Sequence, residues 1–102
     1  MQASELLRRI QSNRAPVIID ARTGIEFKRG HIPGAINAPF LKILLNTALL
    51  PEDRNAELVI YCGHGPRAMI ARRLLALRGY RNMDLITGHW TLWRNAGLPV
   101  EK

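Results

Sequence analysis

The sequence predicts an α/β fold in which helices cover both faces of a parallel sheet. Three observations carry the prediction. PVIID (Pro16–Asp20), a continuous apolar run ending in a charge, LVIY (Leu58–Tyr61), and Met83–Ile86, which contains Asp84, read as strands buried on both faces. Segments of helical period stand between them. Strands that alternate with helices need right-handed crossovers, and such crossovers make neighbouring strands parallel.

SELLRRIQSN (Ser4–Asn13) reads as the first helix, with Ser4 as N-cap and Leu6, Leu7 and Ile10 on one face. Pro16–Asp20 follows as the first strand. Thr23 to Glu26 has capping-box spacing for a short helix that Gly30 would end. A short strand is expected near Ala35–Asn37. Phe40–Leu50 reads as an apolar helix ended by Pro51. Core packing is its first reading, and a docking face for a partner or a second copy is the sharper one. Leu58–Tyr61 is the second strong strand. Pro66–Arg78 is the clearest helix, because proline is tolerated in a first turn and Gly79 stands where a stop is expected. Met83–Ile86 reads as a third buried strand. Thr87 then offers a cap for a last helix over Gly88–Ala96.

A length of 102 residues suits one domain over 1–102, and 47% hydrophobic with 23% charged residues is enough to bury a core. No signal-peptide pattern opens the chain and no apolar stretch is long enough to span a bilayer. The single cysteine excludes an intrachain disulfide and fits a reducing compartment, so a cytoplasmic setting is expected. The net charge of +7, mostly arginine, attracts anions. The arginines are dispersed and no nucleic-acid motif is present, so small anions are the expected partners and nucleic acid is not. Neither cofactor nor metal is expected, since Cys62 with His64, His31 or His89 lacks zinc-site spacing.

In such sheets ligands bind beyond the carboxyl ends of the strands. Asp20 and Cys62 both stand at strand ends. The loop Cys62-Gly63-His64-Gly65-Pro66-Arg67 joins the LVIY strand to the clearest helix. Successive N–H groups in a glycine-rich turn can converge on one centre, and a helix N-terminus adds partial positive charge. That setting favours an ionised cysteine sulfur, and Arg67 and His64 add charge for an anionic substrate. A lone cysteine after a strand is more often a small buried apolar residue, and glycines alone are a plain turn. Two glycines and an arginine within five residues of Cys62 point instead to a nucleophile.

At these residues the sequence resembles the single-domain rhodaneses, a family of sulfurtransferases. VIIDAR (Val17–Arg22) is similar to that family's apolar strand followed by Asp-x-Arg. EFKRGHIPGAIN (Glu26–Asn37) resembles its Gly-His-Ile-Pro-Gly-Ala stretch. CGHGPRA (Cys62–Ala68) resembles the active-site loop, and GHWTLWRNAGLPV (Gly88–Val100) the C-terminal pattern.

The resemblance implies a three-layer α/β sandwich with a parallel sheet of four or five strands. It also implies that the Cys62 thiolate takes a sulfane sulfur from a donor such as thiosulfate. The resulting persulfide would hand that sulfur to cyanide, a thiol or a protein acceptor. Gly63, His64, Gly65, Pro66 and Arg67 would form the loop that cradles the sulfur, with Arg67 closing it and facing the donor. Asp20 and Arg22, with Glu26, would orient the loop or lend charge. The bland alternative for them is a surface ion pair of little consequence. His31 would hold a turn, and Trp90 and Trp93 would pack the last helix.

The chain departs from the family pattern at two further places. Only Met1–Ala3 precede Ser4, which leaves little room for the family's first short strand, and His89 replaces the second residue of the usual Gly-Gly. Two rival functions stay in view. Cysteine-dependent phosphatases place five residues between Cys and Arg, whereas Gly63–Pro66 make four. Inactive interaction modules of the same fold typically lack the cysteine. A sulfur carrier would use the same persulfide.

Overall fold

The computed structural model describes residues 1–102. Its elements in order are α1 (Ala3–Gln11), β1 (Val17–Asp20), α2 (Gly24–Arg29), β2 (Ile36–Asn37), α3 (Phe40–Leu44), β3 (Leu58–Tyr61), α4 (Pro66–Leu77), β4 (Met83–Leu85) and α5 (His89–Asn95). The four strands form one parallel sheet in the order β2-β1-β3-β4. β1 and β3 lie at its centre, with Asp20 opposite Tyr61 in register. No helix is long and apolar enough to cross a membrane.

Side chains of a strand alternate between the faces of its sheet. Ile19, Leu58, Ile60 and Cys62 therefore point to one side, where they pack with Ile43 of α3 and Ala68, Ala71 and Leu75 of α4. Ile18, Val59 and Tyr61 point to the other side, against Leu6 of α1, Ile32, and Trp93 of α5. Helices thus cover both faces, as the apolar runs require. The same alternation sends Cys62 and its neighbour Tyr61 to opposite faces, which shapes the site below.

Several boundaries differ from those expected. Ser4 does not cap α1. The helix starts at Ala3 behind Gln2, whose carbonyl accepts the Leu6 amide at 3.1 Å, so its first turn closes early without a side-chain cap. It stops at Gln11 because Asn13 takes a left-handed conformation, with φ 57°. The apolar segment after Pro39 is helical only over Phe40–Leu44, because Asn46 is left-handed with φ 61°. Ile43 packs in the core, but Leu41, Leu44, Leu45 and Leu49 are exposed, so core packing accounts for only part of that segment.

β4 is an edge strand rather than a fully buried one, and Asp84 faces outward. Thr87 does not cap α5. Gly88 takes that place in the left-handed region, with φ 76°, and a Cβ there would lie 2.5 Å from the Leu92 Cβ. The Thr23–Glu26 capping box and the Gly30 stop of α2 form as predicted. So does the α4 stop, where Gly79 has φ 95°.

Candidate active site

β3 ends at Tyr61 and α4 begins at Pro66, so Cys62–Gly65 make the turn between them. Cys62 is fully buried and its thiol is free. Gly65 sits at φ 133°, a conformation that suits glycine, and its N–H donates to Cys62 Sγ at 3.0 Å. The loop carbonyls face the other way. The Cys62 carbonyl accepts from the Trp90 N–H at 2.9 Å, and that of Gly63 from the Thr91 N–H at 3.3 Å and the Thr91 hydroxyl at 3.0 Å. The first N–H groups of any helix lack intrahelical partners. Here α5 spends two of them on holding the loop from behind.

The amides of Gly63 through Arg67 do not all converge on the sulfur. Gly65 supplies the N–H within hydrogen-bonding distance of it, and Pro66 has none to give. The N–H of Cys62 itself donates to His89 Nδ1 at 3.3 Å. Accepting that bond leaves His89 neutral, with its proton on Nε2. Burial first, and His64 second, hold its pKa below the ordinary histidine range. The His89 ring presses on the loop, since a Cβ on Gly65 would lie 3.2 Å from Nε2. His64 is exposed at the rim, its Nδ1 3.2 Å from the Thr91 hydroxyl.

Arg67 folds back over Gly63, so that a Cβ there would meet its Nη2 at 3.3 Å. Both of its terminal nitrogens donate to Glu26, at 2.6 and 3.1 Å. Glu26 also accepts the Thr23 N–H of its capping box at 3.1 Å. Hydrogen bonds from Arg67 first, and then from Thr23, hold the Glu26 carboxyl down at about 2 against the opposing effect of burial. Arg67 therefore ties the loop to α2, and its charge is shared with a carboxylate.

The neighbouring strand end carries more charge and buries it. Asp20 is fully buried and Arg22 almost so, which makes the pair a core feature and not a surface one. Arg22 Nη2 donates to Asp20 Oδ2 at 2.8 Å and to the Gly30 carbonyl at 2.7 Å. Burial opposes the Arg22 charge, but Asp20 outweighs that and leaves the guanidinium pKa raised. The Tyr61 hydroxyl donates to Asp20 Oδ2 at 2.7 Å and accepts the Ile32 N–H at 3.1 Å. Burial, and then the Asp20 charge, push the Tyr61 phenol far up, so it stays a donor. Arg22 also stacks on Trp90, 4.5 Å from the ring centroid.

A family model for the rhodanese-like domain matches residues 2–96. The chain belongs to this family. A Sulfurtransferase of Allochromatium vinosum is 30% identical over 98% of this chain and 92% of its own length. Rhodanese-like domain-containing protein 14, chloroplastic, of Arabidopsis thaliana is 29% identical over 92% of the chain, which spans 61% of that protein. Among solved structures, a rhodanese-related protein of Thermoplasma volcanium superposes with a TM-score of 0.82 at 27% identity, covering 99% of this chain and 95% of that one.

In this rhodanese-like chain the lone cysteine occupies the strand-to-helix loop, after β3 and before α4, where sulfur-transfer chemistry would be sited. His89 has φ 53°, left-handed backbone that the expected glycine would adopt without strain. His31 holds its turn. Its Nδ1–H donates to the Phe27 carbonyl at 2.8 Å while the ring stacks on Phe27 at 3.7 Å. Trp93 packs in the core, and Trp90, partly buried, packs beside it and covers Arg22. Sequence reasoning missed Tyr61 and Thr91 at the site. Tyr61 read as one more apolar strand residue, although a phenol at a strand end beside Asp20 was a signal that could have found it.

Proposed function

We propose that residues 1–102 act as one domain that moves a sulfane sulfur through a persulfide on Cys62, within the reducing cytoplasm. In the first step the Cys62 thiolate attacks the outer sulfur of thiosulfate. A Cys62 S–S bond forms, the sulfur–sulfur bond of thiosulfate breaks, and sulfite leaves with that bond's electron pair. In the second step cyanide or a thiolate attacks the outer sulfur of the persulfide. Thiocyanate or a low-molecular-weight persulfide leaves, and the Cys62 thiolate returns. Each step is a displacement at sulfur, with no net oxidation by an outside reagent.

The observation that carries this reading is the free Cys62 whose sulfur accepts the Gly65 N–H at the mouth of α4. An oriented N–H there stabilises charge on sulfur before and after transfer. Gly63, His64 and Pro66 shape the turn, Arg67 pins it to Glu26, and Asp20 with Arg22 holds the neighbouring strand end. The four-residue spacing from Cys62 to Arg67, with Arg67 engaged by Glu26, leaves little to grip a tetrahedral phosphate. A protein acceptor is a second reading, favoured by the exposed Leu41, Leu44, Leu45 and Leu49.

The test is thiocyanate formation from thiosulfate and cyanide. Native protein should turn over and Cys62→Ser should not. Hydrolysis of an aryl phosphate that depends on Cys62, with no thiocyanate formed, would contradict the reading.

A further inference from the structure

A helix that buries one stripe carries a second stripe beside it. α4 buries Ala68, Ala71 and Leu75 against the sheet. Met69, Arg72, Arg73 and Ala76 form the neighbouring stripe, spaced i, i+3, i+4 and i+7, and all four are exposed. β4 is the edge strand, so no further strand of the chain lies beyond it. Its Met83 and Leu85 alternate onto the α4 side, where both are half-buried. Between the exposed stripe and these two residues runs an open groove of about 460 Å³. A shallower hollow shares Met69 and Arg73 with it and reaches Pro66, the first residue of α4. This face therefore begins where the Cys62 loop ends.

The lining is apolar and cationic at once. Arg72, Arg73 and Arg81 line the groove, no carboxylate does, and none of the three arginines takes part in an ion pair. Asp84 on β4 is already bonded to the Leu85 N–H and the Met1 amino group, at 2.8 Å each. Planar guanidinium groups match carboxylates two donors at a time. Met69 and Met83 are two of the chain's three methionines, whose flexible thioethers adapt to apolar side chains of varied shape. The 12 residues of α4 span about 18 Å, the length of three turns of a second helix. Charge, apolar lining and length together fit a helix with carboxylates flanking an apolar stripe.

We propose that the groove between α4 and β4 docks an acidic amphipathic helix of another protein. The apolar stripe of that helix would seat on Met69, Met83 and Leu85, and its carboxylates would pair with Arg72, Arg73 and Arg81. The proposal goes beyond sulfur transfer and does not depend on it, because no step at Cys62 is needed for docking.

The probe is a fluorescein-labelled peptide of about four helical turns, with leucines along one stripe and glutamates flanking it. Its binding is followed by fluorescence anisotropy at physiological ionic strength. Native protein should bind it. The Arg72→Gln/Arg73→Gln/Arg81→Gln variant should bind about tenfold more weakly, the size expected for three exposed ion pairs. Arg14→Gln/Arg29→Gln/Arg94→Gln removes the same charge from exposed positions outside the groove and should bind like native protein. Equal weakening in both variants would reduce the effect to net charge and overturn the proposal. A peptide with serines for the leucines should bind more weakly, and equal binding would show that the apolar lining takes no part. No binding to native protein would also overturn the proposal. So would tighter binding of a single-stranded oligonucleotide or of phosphatidylglycerol vesicles that the Arg72, Arg73 and Arg81 substitutions abolish. Sulfur loading of Cys62 is measured separately, and its failure would leave this test standing.

Discussion

The two central strands end side by side, and they end differently. β1 runs out into Asp20 and Arg22, a buried ion pair closed by the Tyr61 hydroxyl. β3 runs out into Cys62, whose direct hydrogen bonds are to neutral groups: the Gly65 N–H on its sulfur, the Trp90 N–H on its carbonyl and His89 on its amide, with the nearby Arg67 charge shared with Glu26. Full charges brace the scaffold, while partial charges hold the sulfur. The reason lies in what each end must tolerate. A full counter-ion held on the sulfur would stabilise the thiolate at the expense of its nucleophilicity, whereas an oriented amide serves thiolate and persulfide alike. The ionic end needs no such latitude, because no bond is made or broken there.

This contrast predicts where substitutions hurt most. Asp20→Ala leaves a buried guanidinium without its partner and should cost about 3–5 kcal/mol of folding stability. Cys62→Ser, on the neutral side, should stay within about 1 kcal/mol of native. Chemical denaturation of both variants checks this pair, and the contrast breaks if the two lose the same stability.

Gly65→Ala comes next. It forces a side chain into positive φ and toward His89, 3.2 Å away. The strain should cost about 1–3 kcal/mol and slow sulfur loading as well. Stability and loading both at the native level would show that the Gly65 geometry is dispensable.

Glu26→Gln probes the joint between the two ends and should act through pH. The Glu26 carboxyl is held at about 2, against 4.5 when free. A carboxyl whose folded pKa is depressed contributes its stability above the free value and loses it as pH falls through the folded one. The native advantage over Glu26→Gln should therefore be intact at pH 5 and disappear between pH 4.5 and 2. Because the pair is partly exposed, the advantage should be small. Acid titrations that merge already at neutral pH would remove Arg67–Glu26 as a tether.

The smallest effect is expected at His89→Gly. Glycine relieves the left-handed strain but surrenders the acceptor for the Cys62 N–H, so net stability should change by under about 1 kcal/mol. The pH profile should change more. Since His89 titrates below its ordinary 6.5, its protonation favours the unfolded chain, and native stability should fall as pH drops below that value. A protonated Nδ1 would also turn a donor toward the Cys62 N–H. The glycine variant should lack this acid loss, and an identical acid limb in both proteins would refute the role.

How much the sequence revealed follows from how local each feature is. The Thr23–Glu26 capping box, the Pro66 helix start and the Gly79 stop were legible because each depends on a few adjacent residues. The helix expected over Phe40–Leu50 failed because an apolar composition carries no stop signal, and Asn46 supplied one through its backbone. At the site, Cys62 and its glycines could be read directly. The partners Glu26 and Arg67 were both singled out, but their bond spans 41 residues and exists only because β1 and β3 are adjacent. Tyr61 needed the register that sets it opposite Asp20. His89 was visible as an odd residue, but its grip on the Cys62 amide was not.

The most direct test is the intact mass of the reduced protein after exposure to thiosulfate, with Cys62→Ser beside it. The native protein alone should gain one sulfur atom, removed by cyanide. A native protein that gains nothing, or a serine variant that gains the same sulfur, would contradict sulfur transfer at Cys62.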